Sequence, residues 1–528
     1  MPLKRKLIVL IILDGWGIAP EAPGNALSQA QIPHLKKYIA SYPAAKLTVP
    51  GLDSSSSETE PTSCALGHLT IGSGRNIMSV RQRINEAISD GSFLNNPVFL
   101  QGIKHCQQFS SKMHLCTVVS HSFRQAQLDH LYALLALLKN AKVKKIFLHL
   151  ILDGVDASEN AGLVIIKELL NKISELKLDA RIATISGRYF GLDRNNFWDR
   201  TKQIYTAMTF GQSAENFSDP LVALETSYEH EVFDQHFMPV AIYDSKNKPV
   251  ATINDNDALF FLNYKVDGIL QLVKAFALPD FIKFEALRFS NLFIGTICDY
   301  DSTLAIDGVA FPEIAITNSL TAVLAKAGLK QLYLAETEKF PQATYYLSGK
   351  LKQELDNCQW QNIPSELVDG AYEPEMAAGE ITAELEKAIN SKEYDFIAVN
   401  YTNLDTIAHS GKLNNTVAAA EICDKYLNKI IPLVLIKNGL VILTADHGNA
   451  EQMQDIQTGE LSDSHTANPV PLVVISPEYE GKNIGWPDVL NADLSLVKSS
   501  GTLSDIAPTI LKLYGLRKPK EMTGESLL

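Results

Sequence analysis

An unbroken apolar run at residues 7–13 ends in Asp14-Gly15-Trp16-Gly17. A strand without polar alternation has to be covered on both faces, which is the condition of an inner strand in a parallel sheet flanked by helices. The basic Lys4-Arg5-Lys6 ahead of it gives the segment the outline of a signal peptide. The run is short for that purpose and meets a carboxylate, not a small-residue cleavage site. A spanning helix needs about 20 apolar residues. A buried strand is therefore the expectation. In open α/β sheets chemistry gathers beyond the carboxyl ends of strands, which makes Asp14 a candidate functional residue.

The rest of the chain follows the same pattern. Short apolar runs at 145–152, 180–186, 258–263, 331–335, 396–400, 439–444 and 470–475 read as strands, and stretches at 125–139, 163–176, 317–327 and 416–431 read as helices. This is the alternation of parallel α/β sheets with crossover helices. At roughly 100–200 residues per domain, a chain of 528 residues implies two to four domains. Hinge-like segments at 89–92 and 306–312 bracket a central stretch, whereas the strongest polar signatures lie at Asp14 and beyond residue 400. The expected architecture is a discontinuous domain, 1–88 with 307–528, and a second α/β domain, 89–306, inserted into it. A cleft between domains is a common ligand site.

Charge narrows the partners. The net charge is -13, and the only basic run is Lys4–Lys6, which argues against a nucleic-acid partner. An acidic chain acting on an anionic substrate has to gather cations locally. Hydrophobic residues at 46% and charged residues at 20% fit a globular protein and neither a disordered nor a membrane chain. Six scattered cysteines without a CxxC fit a reducing compartment, so a cytoplasmic location is expected, with neither disulfide framework nor zinc ribbon.

Four of the strand ends carry residues competent to bind metal. Asp14 follows the first, Asp405 and His409 follow 396–400, Asp446-His447-Gly448 follows 439–444, and His465 precedes 470–475. A lone Asp after a strand is usually a cap or turn residue, and a lone His usually sits on the surface. Several such sites at strand ends, crowded into one part of the chain, point instead to a shared site. Carboxylate and imidazole donors suit divalent metals of the manganese-to-zinc range. Two such ions roughly 3.5–4 Å apart clamp a transferring phosphoryl group.

Six motifs carry a resemblance. They are Leu13-Asp14-Gly15-Trp16-Gly17, Gly67-His68-Leu69-Thr70-Ile71-Gly72-Ser73-Gly74-Arg75, the stretch from Ser186-Gly187-Arg188 to Leu192-Asp193-Arg194, Ala335-Glu336-Thr337-Glu338-Lys339, Pro374-Glu375-Met376, and Thr444-Ala445-Asp446-His447-Gly448-Asn449. In this order they resemble the cofactor-independent phosphoglycerate mutases of the alkaline phosphatase superfamily. The resemblance implies an alkaline-phosphatase-like three-layer domain carrying two manganese ions and an inserted transferase domain. It also implies interconversion of 3-phosphoglycerate and 2-phosphoglycerate through a phosphoserine. By position, Asp405, His409 and His465 would hold one ion, and Asp14, Asp446, His447 and the nucleophile the other. Arg188, Arg194 and Lys339 would bind substrate, with Asp153 and Asp156 in the acid/base motif. A monomer acting on a small phosphorylated substrate is implied.

The chain also departs from that pattern. The family's Asn-Ser-Glu-Val-Gly-His, whose serine is the nucleophile, reads Ser63-Cys64-Ala65-Leu66-Gly67-His68. Cys64 takes the nucleophile position, with Ser63 beside it. A thiolate is a softer ligand than an alkoxide and favours zinc over manganese. Asp-Gly-Arg-Asp becomes Asp153-Gly154-Val155-Asp156, and His-Ser-His becomes Gln125-Ala126-Gln127. Arginines that grip the transferring phosphate become Lys265, Gly268 and Leu270. Three functions stay open: the mutase, a metal-dependent phosphohydrolase or phosphotransferase with another substrate, and a catalytically silent relative. The retained ligands favour a working metal site.

Overall fold

The computed structural model describes residues 6–50, 63–368, 370–454 and 459–528. The serine-rich patch at 54–57 lies outside them. The chain forms two compact units, one from residues 1–79 and 315–528 and one from 80–314.

The first unit is built around an eight-stranded sheet. Its strands, in spatial order, are Cys358–Ile363, Gln331–Glu336, Phe396–Tyr401, Ile8–Leu13, Leu440–Thr444, Val470–Ile475, Ala44–Thr48 and Gly501–Thr502. The apolar run at the N-terminus is the central strand Ile8–Leu13, buried along its whole length. It pairs in parallel with Phe396–Tyr401 and Leu440–Thr444, Ile8 standing level with Phe396 and Leu440. Val470–Ile475 runs antiparallel to Leu440–Thr444, against the all-parallel alternation expected from sequence. Among the described residues no helix lies between these two strands, and the chain returns from the carboxyl end without a crossover. The helices fall into two packed groups, Ala378–Ser391 with Leu413–Ile436 and Pro33–Ser41, and Cys64–Ser73 with Leu320–Lys326 and Ile506–Leu513. Sheet and helices bury one continuous apolar core.

The second unit has a seven-stranded sheet in the order Val240–Ala241, Ala180–Gly187, Ile146–Leu152, Met113–Val119, Ala258–Phe261, Phe293–Thr296 and Gly308–Val309. All its pairings are parallel except that of Val240–Ala241. Apolar clusters on both faces of this sheet make it a self-sufficient body. The helix Val80–Ser89, which the sequence reading gave to the outer domain, buries Ile84 and Ala87 in this core. Burial of its apolar stripe decides which body a boundary helix joins.

Candidate active site

The polar strand ends of the first unit converge because their strands are neighbours. Gln331–Glu336, Phe396–Tyr401, Ile8–Leu13 and Leu440–Thr444 lie side by side and parallel, so their carboxyl ends open on one edge. Asp14 leaves the third of these strands and Asp446-His447 the fourth. The short helix Asn403–Ala408 after the second carries Asp405, and His409 caps it one turn on, on the same face. The antiparallel strand Val470–Ile475 begins at this edge, which brings in His465. Cys64 opens the helix Cys64–Ser73. Two glycines allow the crowding. A Cβ on Gly15, which has φ +77°, would stand 2.8 Å from the Asp405 Cβ, and one on Gly67 would stand 2.4 Å from the Asp446 carbonyl oxygen.

Cys64 Sγ is at the middle of the cluster. It lies 2.8 Å from His447 Nε2, 3.6 Å from Asp14 Oδ1, 3.7 Å from Asp405 Oδ2 and 3.9 Å from His465 Nε2. His447 Nε2 is 3.4 Å from Asp14 Oδ1 and 3.3 Å from Asp446 Oδ2. His409 Nε2 is 2.9 Å from His465 Nε2 and 3.4 Å from Asp405 Oδ2. Lys339, at the end of a short turn after Gln331–Glu336, reaches in with Nζ 2.5 Å from Asp405 Oδ2, 2.6 Å from Cys64 Sγ and 3.3 Å from Asp14 Oδ1. Donor atoms of Asp14, Cys64, Asp446 and His447 lie within 4.8 Å of one another, as do those of Cys64, Asp405, His447 and His465.

The electrostatics follow from burial. Asp14, Asp405 and Asp446 are each 0% exposed, and among the described residues one ammonium, that of Lys339, reaches them. Burial pushes the Asp405 carboxyl up, but Lys339 and His447 outweigh it and hold the group well below the usual carboxylate range. Burial likewise pushes Asp446 up, while His447 and His68 bring it down to about 2. Burial opposes a charge on Lys339, yet Asp14 and Asp405 keep it protonated far above the ordinary lysine value. Buried anions of this density need cations around them.

Several supporting residues carried no role in the sequence reading. His68 Nδ1 faces Asp446 Oδ2 at 3.1 Å and the Cys64 carbonyl at 2.9 Å, and its Nε2 faces the Asn400 amide at 2.9 Å. Asn400 also donates to Asp14 Oδ2 at 2.9 Å. Asn449 donates to Asp405 Oδ1 at 2.8 Å. Glu451 accepts from the Asn449 backbone N–H and from the Thr466 and Asn468 side chains, tying the Asp446 loop to the segment carrying His465. His68 and Asn449 belong to the motifs quoted above, but nothing in their spacing says which carboxylate they hold.

The remaining expected site residues lie in the second unit. Arg188 Nη1 bonds to Asp153 Oδ1 at 2.7 Å and Asp156 Oδ2 at 2.5 Å. Ser120 donates to Asp153 Oδ2 at 2.7 Å. Arg194 pairs with Asp267 at 3.0 Å and its side chain is largely exposed.

The family profile described as "BPG-independent PGAM N-terminus" matches residues 84–302. The 2,3-bisphosphoglycerate-independent phosphoglycerate mutase of Chloroflexus aggregans is 37% identical over 548 residues, covering 99% of each chain. That of Acetivibrio thermocellus is 36% identical and covers 100% of both. The chain belongs to the 2,3-bisphosphoglycerate-independent phosphoglycerate mutases. A crystal structure of Leishmania mexicana phosphoglycerate mutase, determined at low cobalt concentration, shares the fold with a TM-score of 0.66 at 24% identity, covering 99% of this chain and 98% of that one. By family the chain is an isomerase of the intramolecular phosphotransferase class, on an α/β fold of two units, the second inserted into the first.

Within this family the nucleophile position is the departure of most consequence. Ser63 caps its helix, its hydroxyl accepting from the Leu66 N–H at 3.2 Å, and the residue is exposed. Cys64, one residue on, is the side chain that reaches the cluster. The positions of two phosphate-gripping arginines are apolar here. Gly268 is buried against Leu192, and Leu270 packs on the core beneath the helix Val266–Ala277. Val155, in the place of another arginine, is exposed.

Proposed function

We propose that the chain interconverts 3-phosphoglycerate and 2-phosphoglycerate at the carboxylate–imidazole cluster, with Cys64 as the phosphoryl acceptor and two divalent ions as cofactors. One observation carries the reading: three fully buried aspartates with His447 and His465 lie around a single sulfur, His409 stands against His465, and the Lys339 ammonium lies among them. The donors fit the ions both by chemistry and by unbalanced charge. Asp405, His409 and His465 would hold one ion, and Asp14, Asp446, His447 and Cys64 the other. Manganese is the ion the family resemblance implies, and zinc the alternative once sulfur ligates. Bound there, the ions supply positive charge against the phosphoryl oxygens and the acceptor sulfur.

The steps assigned to the chain's own residues balance. The Cys64 thiolate attacks phosphorus, the S–P bond forms, and the P–O bond to glycerate breaks. The departing oxygen takes a proton from the Lys339 ammonium, which stands 2.6 Å from Cys64 Sγ. Glycerate reorients, its other hydroxyl returns a proton to that amine and attacks phosphorus, and the S–P bond breaks. Lys339 faces the phosphoryl oxygens, and Arg188 and Arg194 grip anionic substrate groups. The reading includes a monomer in the cytoplasm with a small phosphorylated substrate and neither nucleic acid nor membrane as partner. No helix among the described residues is long and apolar enough to cross a membrane.

A coupled assay with 3-phosphoglycerate and manganese or zinc tests this. Turnover is expected, lost in Cys64→Ala and kept in Ser63→Ala. Full turnover in Cys64→Ala removes Cys64 as acceptor. A second reading has an observation of its own: with Gly268 buried and Leu270 half-buried against apolar side chains, the phosphate lacks its usual grip. It makes the chain a metal-dependent phosphohydrolase or phosphotransferase for another ester. Hydrolysis in a phosphate-ester screen without mutase turnover selects it.

A further inference from the structure

We infer that Cys64 is a bridging thiolate ligand that tunes this centre to thiophilic divalent ions, zinc ahead of manganese. The inference rests on the two-ion reading of the cluster given above. Two donor groups are close enough to hold an ion, Asp14, Cys64, Asp446 and His447, and Cys64, Asp405, His447 and His465. Two residues, Cys64 and His447, occur in both. An imidazole Nε2 has one lone pair and serves one ion. His447 Nδ1 faces the Gly448 carbonyl at 3.2 Å and has no second ion to serve. A thiolate sulfur has several lone pairs and serves two ions at once. Cys64 Sγ stands within 4 Å of Asp14, Asp405, His447 and His465, so donors from both groups surround it.

The position is not that of a packing cysteine. Cys106 and Cys298, Cys116, and Cys358 and Cys423 each belong to an apolar core cluster. Cys64 belongs to none, although it too is buried, and its neighbours are charged or polar. Soft sulfur selects zinc, cobalt and cadmium over manganese and magnesium, whereas a hydroxyl in its place leaves a hard, oxygen-rich centre.

The test reads ligation and not turnover. Metal-free full-length chain is titrated anaerobically with cobalt(II). Wild type is expected to develop sulfur-to-cobalt charge-transfer absorption that grows through both equivalents. Cys64→Ser and Cys64→Ala still take up cobalt, measured by equilibrium dialysis, but lose that absorption. In competition, zinc preference over manganese is expected to fall in Cys64→Ser by at least roughly tenfold, since loss of even an outer partner of a metal ligand costs about 10–100-fold in affinity. Cobalt bound by wild type without a charge-transfer band overturns the inference and leaves the two-ion reading intact. A band that persists in Cys64→Ser, or that saturates at one equivalent while a second ion binds, overturns the bridge. No cobalt bound at all overturns the inference together with the two-ion reading.

Discussion

The two units of the chain have parted from the family pattern by different amounts. In the first, Asp14, Asp405, Asp446, His447 and His465 lie close around one sulfur, with His409 against His465, and that sulfur stands where the family has the oxygen of its serine. In the second, an exposed Val155, the amides Gln125 and Gln127, and the apolar pair Gly268 and Leu270 stand where the family has charged or basic side chains. The difference has a physical source. The charges of the first unit are buried and mutually dependent, so loss of any one strands the others, at a cost of about 3–5 kcal/mol. An exposed arginine can be lost with a stability change of about ±0.5 kcal/mol. Folding itself therefore guards the buried cluster, while an exposed position such as Val155 is held only by its use.

The most severe way to break this contrast is Lys339→Met. Without metal it leaves Asp14 and Asp405 facing each other unneutralised, and a loss of about 3–5 kcal/mol is expected in denaturant melts with a chelator present. With zinc or manganese added the loss should shrink. An equal loss in both conditions means that ammonium and ions do not share the task. Next in size is Asp446→Ala combined with His447→Ala. A metal at 100 times its dissociation constant stabilises the native state by about 2.7 kcal/mol, and the double variant should forfeit most of that thermal shift. A full shift places the ion elsewhere.

Glu336 offers an effect on the order of 2 kcal/mol, because it is a buried carboxyl outside the cluster. Burial raises it from 4.5 to about 7, against the bond from Ser365, and no cation among the described residues offsets the cost. Its folded value lies above its unfolded one, so its contribution is complete below about pH 4.5 and is lost as pH rises through about 7. Melts of wild type between pH 5 and pH 8 should lose stability relative to Glu336→Gln, by an amount on the order of 2 kcal/mol. Parallel curves dismiss the assignment. The smallest stability effect belongs to Val155→Arg, within about ±0.5 kcal/mol. The same variant restores a charged group, and a charge-assisted bond of about 1.5–3 kcal/mol should raise kcat/KM for phosphoglycerate roughly 10–100-fold. No gain, with stability unchanged, assigns the pocket to another ester.

Much of the fold was legible because apolar patterning is local. The run at 470–475 is the strand Val470–Ile475, and the run at 7–13 lies on Ile8–Leu13. Ala44–Thr48 and Met113–Val119 were not legible, since runs interrupted by Lys46, His114 or Thr117 have no distinct apolar signature and are buried only by their neighbours. At the site, Asp14, Asp405, His409, Asp446, His447 and His465 could be named because carboxylates and imidazoles at strand ends are a chemical pattern as well as a structural one.

What the sequence determined by itself is thus the alternation of strands and helices and the set of residues able to bind metal, both properties of short stretches of chain. The tertiary structure decided the rest. Of the neighbours Ser63 and Cys64, it turned the first to cap the helix and the second inward to His447. Lys339 came to lie among the aspartates, and His68 and Asn400 to bridge Asp446 and Asp14, because strands distant in sequence are neighbours in the sheet. The charge balance of a buried site depends on distances between such strands, and no single stretch of sequence contains those distances.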